Sequence, residues 1–457
     1  MGRCLRSGSK REGMSVRTNS PVGKVRQLQR KLYLSAKKSK SRRFHALYER
    51  IHDWDVLKES WERVRANGGA AGIDGETLKA IEAKGIESFL KGIQQYLEEG
   101  RYHPVPVRRV EIDKRDGSGK KRPLGIPTVR DRVVQMAAKI VLEPVFEADF
   151  RDCSYGYRPK RSTVNAMERI REMANKGYNF VLDGDIRNYF GSIEHEKLLE
   201  AVGRRVSDRR VVKLIKKWLK AGVMAEGRLE LSLVGTPQGG VISPLLSNVY
   251  LNMVDEAWER ENSTLGVLVR FCDDFVVLSR TRRAIEESRR WMAAQLAGLK
   301  LELHPEKTKI VELSWGKEGF DFLGWHVTKR ASARFRGRYY LNRWPSRRSM
   351  SRLYSRFRTM AHRNRRVRNV RELVTELNPV LRGWAAYFRT GNSRRKFQQA
   401  DKVLWERLAL YEARRRYRKG PYWDLERWNY DWFKGLGLFD LTQNGIIRYP
   451  GLEVSHA

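Results

Sequence analysis

Asp273 and Asp274 stand between two short apolar runs, Val267 to Phe271 and Phe275 to Leu278, and the stretch predicts a hairpin with two carboxylates at its tip. The tip lacks the Asn-Gly or Asp-Gly pair that closes most tight hairpins, so turn chemistry does not account for the acids. Adjacent ionised carboxylates repel one another and resist desolvation, and a divalent cation is the usual means of keeping both charged. A solvated acidic turn is the plain alternative, and a partner elsewhere in the chain decides between the two. Asp183 and Asp185 lie two apart in a predicted strand from Tyr178 to Ile186, so they share one face and either could meet the tip. Two or three carboxylates converging from separate strands are what a two-metal phosphoryl or nucleotidyl transfer centre requires.

Other segments offer groups that such chemistry would use. Gly235-Thr-Pro-Gln-Gly-Gly surrounds Gln238 with residues lacking a side chain or an amide hydrogen, so the loop can approach a ligand by its backbone while Gln238 presents an amide. Lys121 and Arg122 end the basic hairpin strand and could clamp a triphosphate, although solvated strand charges are the ordinary reading. Phe190, five positions beyond Asp185, would either wall a pocket or sit in the core.

The elements that must hold these residues follow from periodicity. Leu28, Leu32, Leu47, Ile51, Leu57, Trp61 and Val64 recur at helical spacing until Asn67-Gly68-Gly69 stops them, and a further helix is predicted from Leu78 to Leu97. Alternation from Pro104 to Ile112, followed by an Asp116-Gly-Ser-Gly turn into Lys120-Lys-Arg-Pro-Leu-Gly-Ile, predicts a hairpin with a basic returning strand. Helices are expected over Arg130 to Phe150, after a Ser162 cap, near Glu196 to Val202, over Asp208 to Ala221, after Ser243-Pro244, and over Arg283 to Leu299. A second hairpin is expected around Phe320-Asp-Phe-Leu-Gly-Trp. From Ala331 to Lys419 arginine becomes frequent while Met350, Leu353, Phe357, Met360, Val370, Leu373, Leu377, Phe397, Leu404 and Leu408 keep a helical period, which predicts three or four basic helices. Asn378-Pro379 is expected to cap and start one of them. Residues 421 to 457 show no clear period.

Composition narrows the partners. The 92 Lys and Arg against 53 Asp and Glu leave a formal charge of +39, which suits a phosphate-rich partner, nucleic acid first. With 41% hydrophobic residues in 457, the chain can bury a large core divided among two to four lobes. Residues 1 to 24, rich in Ser, Gly, Lys and Arg, predict a disordered basic arm. No apolar run of about 18 residues stands out and no apolar block follows the early basic residues, so the expectation is a soluble, cytoplasmic protein without a membrane partner, associated with the nucleoid when bound to DNA. Cys4, Cys153 and Cys272 are too few and too scattered for a disulfide framework or a zinc cluster.

Arg122-Pro-Leu-Gly-Ile-Pro, Tyr155-Gly-Tyr-Arg-Pro, Asp185-Ile-Arg-Asn-Tyr-Phe, Pro237-Gln-Gly-Gly-Val-Ile-Ser-Pro-Leu-Leu-Ser-Asn and Phe271-Cys-Asp-Asp, in this order, resemble the successive blocks of reverse transcriptases encoded by group II introns. The resemblance covers about residues 25 to 420. It implies an α+β, right-hand polymerase, with fingers and a palm carrying an antiparallel sheet, followed by an all-α basic thumb or maturase region. The N-terminal extension and fingers would occupy 25–175, the palm 176–330, the thumb or maturase helices 331–420, and a C-terminal tail of unassigned role 421–457. By this similarity Asp185, Asp273 and Asp274 would be catalytic and ligate two magnesium ions, with manganese as the alternative. Arg122 and Gln238 would contact the incoming deoxynucleoside triphosphate, Lys121 and Lys307 its phosphates, and Phe190 would screen the ribose 2′-hydroxyl. The implied partners are the intron RNA, an RNA template with its primer, and a DNA target. Phe271-Cys stands where the family usually has Tyr-Ala, and Gly191 where an Asp commonly follows the aromatic pair. No paired Cys and His ligands of an endonuclease domain occur. The rival expectations are a splicing-only maturase and a related polymerase recruited to defence or DNA repair.

Overall fold

The computed structural model describes residues 21–113, 121–225, 228–230, 239–362, 369–416 and 428–444. The expected basic arm lies outside these residues up to position 20, as do Gln238 and the side chain of Arg122. The chain forms two compact units, the first drawn from Met1–Ile112, Pro123–Arg151 and Asn188–Asp255, the second from Asp113–Arg122, Asp152–Arg187 and Glu256–Ala457. The architecture is mixed α/β, with sheets whose pairings are mainly antiparallel.

The chain begins with α1 (Pro21–Lys38), α2 (Tyr48–Ile51), α3 (Trp54–Asn67), α4 (Leu78–Lys84) and α5 (Ile86–Glu98), then β1 (Val107–Asp113), β2 (Lys121–Ile126) and α6 (Val129–Glu147). The single helix expected from Leu78 to Leu97 is two, because Gly85 takes φ +107°, a conformation open to glycine, and ends α4. Helix α6 is buried along almost its whole length and is packed by α1 and α3, so it forms the axis of the first unit. Next come α7 (Thr163–Asn175), β3 (Phe180–Gly184), α8 (Tyr189–Ser192), α9 (His195–Gly203), α10 (Arg209–Lys220), β4 (Val223–Ala225), β5 (Arg228–Glu230) and α11 (Ser243–Glu261). Ser162 caps α7 as its sequence position predicts, accepting from the Asn165 amide. One sheet runs β2-β1-β4-β5, with β1 and β4 parallel.

The remainder comprises β6 (Val267–Phe271), β7 (Asp274–Ser279), α12 (Arg282–Gly298), β8 (Lys309–Glu312), β9 (Gly319–Phe322), β10 (Trp325–Ala331), β11 (Tyr339–Pro345), α13 (Arg347–Met360), α14 (Val370–Phe388), α15 (Arg394–Arg416), α16 (Tyr430–Gly435) and α17 (Leu441–Asn444). The sheets of the second unit are β6-β7-β3-β8 and β11-β10-β9. One hydrophobic cluster joins α7 and both sheets to α13–α15, reaching Trp428, Phe433 and Leu441. Trp384, Tyr387 and Phe388 pack on this core: Phe388 is buried, and Trp325 stacks against Tyr387 at 6.1 Å.

Two further expectations fail here for identifiable reasons. Asn378-Pro379 does not start a helix. It lies inside α14, whose actual cap is Asn369, accepting from the Glu372 amide. Proline costs the helix one internal hydrogen bond, and Asn378 turns its amide away from the helix, donating to Gly437 O (2.8 Å) and accepting from Phe439 N (2.8 Å). The arginine-rich region also opens with a strand: β11 pairs along its full length with β10, Ala331 opposite Tyr339 and Trp325 opposite Pro345. The described part of the C-terminal segment belongs to the same core. Trp405 donates to Trp428 O at 2.8 Å, and Asp401 accepts from the Leu441 and Thr442 amides at the start of α17.

Candidate catalytic centre

The β6–β7 hairpin forms as its sequence pattern predicts, with Val267 opposite Leu278 and Phe271 opposite Asp274. Cys272 and Asp273 are therefore the two residues of the turn, and Asp274 is the first residue of β7. Cys272 takes φ +62°, a left-handed conformation that costs a non-glycine residue about 1 kcal/mol or more and persists only where the surroundings enforce it. Those surroundings are Arg270 and the segment from Cys153 to Arg158. Arg270, almost fully buried, donates from Nη1 to Cys272 O (2.9 Å) and from Nη2 to Ser154 Oγ (2.9 Å). Its own amide donates to Cys153 O (2.7 Å), and its carbonyl accepts from Tyr155 N (2.8 Å). Gly156 lies so close that a Cβ there would stand 2.6 Å from Cys272 N. The Tyr-Gly-Tyr block thus braces the hairpin tip, and only glycine fits at its centre.

The partner strand brings the third acid. β3 and β7 pair antiparallel with Gly184 opposite Phe275, so continuing the register by one residue sets Asp185 opposite Asp274. Gly184 permits this approach, because a Cβ would come within 2.2 Å of the Phe275 ring. Asp185 is fixed by its backbone: its carbonyl accepts from His304 N at 2.7 Å, within the segment that leads into β8. Lys307 of that segment places Nζ 3.1 Å from Asp185 Oδ2.

The electrostatics record the crowding. Burial pushes the Asp274 carboxyl up to about 7, and Asp273, Asp185 and Asp183 push in the same direction while Lys307 opposes them. Asp274 nevertheless keeps an open edge to solvent, so its desolvation comes from the protein mass beside and behind it. Asp183 is likewise held at about 7, chiefly by burial, with Lys309 lowering it and Asp185 and Asp321 raising it. Asp185, Asp273, Asp274 and Asp183 therefore share one field with an excess of negative charge. An all-oxygen donor set of this kind fits a hard divalent cation. Among the described residues, no three acidic, His or Cys side chains close to ligating distances.

The remaining expected site residues divide. Lys307 joins the carboxylates. Lys121 is exposed at the start of β2, and Gly125 of the same strand meets the glycine-rich loop: a Cβ on Gly239, at φ +118°, would stand 2.3 Å from Gly125 O. Val241 N donates to Gln135 Oε1 (2.8 Å), pinning the end of that loop to α6. Phe190 lies on α8 in the first unit, edge-to-face with Tyr189 at 5.2 Å, and the Tyr189 hydroxyl donates to Ser247 O. Arg270 escaped the sequence reading, and its one signal was a lone arginine inside the apolar run Val267 to Phe271.

Two family descriptions match the chain: "Reverse transcriptase (RNA-dependent DNA polymerase)" over residues 112–327 and "Group II intron, maturase-specific domain" over residues 350–430. Protein YkfC of Escherichia coli K12 is 35% identical over 346 residues, covering 67% of this chain and 89% of YkfC. Group II intron-encoded protein LtrA of Lactococcus lactis subsp. cremoris is 37% identical over 215 residues, covering 47% of this chain and 35% of LtrA, so the match spans about a third of that relative. Among solved structures, a chain of a partial Cas6-RT-Cas1–Cas2 complex aligns at TM-score 0.36 and 23% identity, covering 55% of this chain and 42% of that one. A Candida tropicalis apo telomerase aligns at TM-score 0.38 and 13% identity, covering 52% and 57%. The chain belongs to the group II intron reverse transcriptase/maturase family. The reverse transcriptase match takes in the braced hairpin tip, and the maturase match takes in α14, α15 and α13 from residue 350 onward. No helix among the described residues is long and apolar enough to cross a membrane.

Proposed function

We propose that this chain is an RNA-directed DNA polymerase of the right-hand type that copies an intron RNA and also holds that RNA during splicing. The observation that carries the reading is the meeting of Asp185 with the Asp273-Asp274 tip across the β3–β7 register, in a chain of this family. In the reaction, a primer 3′-hydroxyl forms a bond to the α-phosphorus of a deoxynucleoside triphosphate, the bond to the β-phosphate oxygen breaks, and pyrophosphate leaves. Two magnesium ions, or manganese in their place, would be held by Asp185, Asp273 and Asp274 and would supply a more acidic hydroxyl and counter-charge for the phosphate. Lys307 steadies Asp185 until substrate phosphates compete for its ammonium. Lys121 and Arg122 would clamp the triphosphate, Gln238 would position the incoming nucleotide, and Phe190 would screen the sugar's 2′ position.

Exposed arginines on α13–α15, among them Arg348, Arg356, Arg371, Arg382, Arg394 and Arg395, support the RNA-holding role. Binding through them should weaken steeply with salt, and a flat dependence would place RNA elsewhere. Primer extension on an RNA template tests the main reading. Deoxynucleotide incorporation should vanish in Asp273→Ala, and equal activity in that variant would defeat the assignment. Phe190→Ala should raise ribonucleotide incorporation, whereas unchanged discrimination would remove Phe190 from the screening role.

A further inference from the structure

Phe320, Phe322, Trp325 and Val327 turn into the core of the second unit, so alternation sends their neighbours to the opposite face of the β9–β11 sheet. On that face Asp321, His326 and Trp344 lie in one row, because His326 pairs with Asp321 on one side and with Trp344 on the other. Asp321 Oδ1 lies 2.7 Å from His326 Nδ1, and the imidazole and indole centroids are 5.3 Å apart. The guanidinium of Arg330 stacks over Trp344 at 4.7 Å. Arg347 and Tyr354, two turns apart on one face of α13, and Lys396 at the start of α15 complete a cleft of about 600 Å³. That is within the range of small-ligand sites.

The cleft's chemistry is selective. Asp321, the carboxylate lining the cleft, is engaged by His326, and Arg347 and Lys396 form no ion pair among the described residues, so the cleft has positive charge to offer. A phosphate-sized anion would answer those cations. Aromatic rings such as those of Trp344 and Tyr354 are the surfaces on which proteins lay unpaired bases. Fixed carboxylate and imidazole groups beside them can read a base edge. A duplex groove would offer phosphates but no free base face.

We propose that this cleft binds a single unpaired nucleotide of a bound RNA, its base against Trp344 and Tyr354 and its phosphate against Arg347 and Lys396. The proposal rests on the RNA-handling reading of the chain, and its test does not depend on polymerisation. The full-length protein is titrated by fluorescence anisotropy with two RNA hairpins of the same stem, one carrying a one-nucleotide bulge and one fully paired. The wild type should prefer the bulged hairpin. Trp344→Leu should weaken binding of the bulged hairpin about tenfold and erase the preference, and Trp344→Phe should retain most of it. Arg347→Gln, a surface change that leaves the core intact, should lower affinity for the bulged hairpin more than for the paired one.

An equal loss for both RNAs in Trp344→Leu and Arg347→Gln, or an unchanged preference in both, would overturn the proposal. So would full displacement of the bulged RNA by AMP at equal concentration, since the cleft would then be a site for a free mononucleotide. A wild type that shows the bulge preference but extends no primer would sink the polymerase reading alone. One that extends primers without the preference would sink this inference alone.

Discussion

The β6–β7 tip and the α13–α15 helices share one hydrophobic core, yet they handle charge in opposite ways. At the tip, acidic groups crowd against desolvating protein, so Asp274, like Asp183 on the neighbouring strand β3, is driven to about 7 and Cys272 is forced into a left-handed turn. On the helices, arginines point to water while Met350, Leu353, Phe357 and Leu381 point inward, with no comparable conflict. The tip accumulates unfavourable electrostatics, which a cation held there would relieve. The helices accumulate stability and display charge outward. Catalytic capacity and stability are therefore expected to separate on mutation.

The sharpest separation comes from one substitution in each region. Asp273→Ala should cut primer extension by about 10³-fold or more, because in the proposed reaction Asp273 helps to hold the counter-charge worth several kcal/mol to the transition state. Its melting temperature should be unchanged or higher, since a like charge leaves the crowd around Asp274. Phe357→Ala should do the reverse, lowering stability by about 3 to 5 kcal/mol in denaturant titrations with activity per folded molecule retained. A loss of both properties in either variant would erase the contrast.

Arg270→Met probes the brace beneath the tip. It deletes the donors to Cys272 O and Ser154 Oγ while keeping apolar bulk, and should reduce kcat about 100-fold with little change in KM for the nucleotide, as expected when a catalytic group is displaced by about 1 Å. A KM effect alone would mean that Arg270 serves substrate binding instead. The smallest expected effect is at Asn378→Ala, which removes two hydrogen bonds to the segment at 437–439 and should cost about 1 to 2 kcal/mol. Hydrogen exchange should show faster opening of residues 428–444 with the β6-β7-β3-β8 sheet unaffected.

How much of this was legible in the sequence follows from the range of the interactions. The hairpin, the Ser162 cap and the amphipathic faces of α13 and α14 arise from neighbours within a few residues, and composition and period reveal them. Chemistry alone demands a partner for the tip but leaves Asp183 and Asp185 open, and the family resemblance selects Asp185, because the register that joins them links strands about ninety residues apart. Long-range satisfaction of polar groups left no local trace. Pro379 reads as a helix start, yet Asn378 serves a segment some sixty residues later. Arg270 reads as an interruption in a strand, yet its partner is Ser154. Residues 428–444 show no period because short helices and capping contacts, rather than one long amphipathic face, bind them to the core.

The most direct measurement is manganese binding followed by electron paramagnetic resonance, with the protein bound to a primer and RNA template. The wild type should hold manganese, and Asp185→Asn and Asp273→Asn should each weaken the same bound ion, because both carboxylates face one centre. If either variant binds manganese as the wild type does, the acids of β3 and of the β6–β7 tip do not act together, and they cannot form the proposed nucleotidyl-transfer centre.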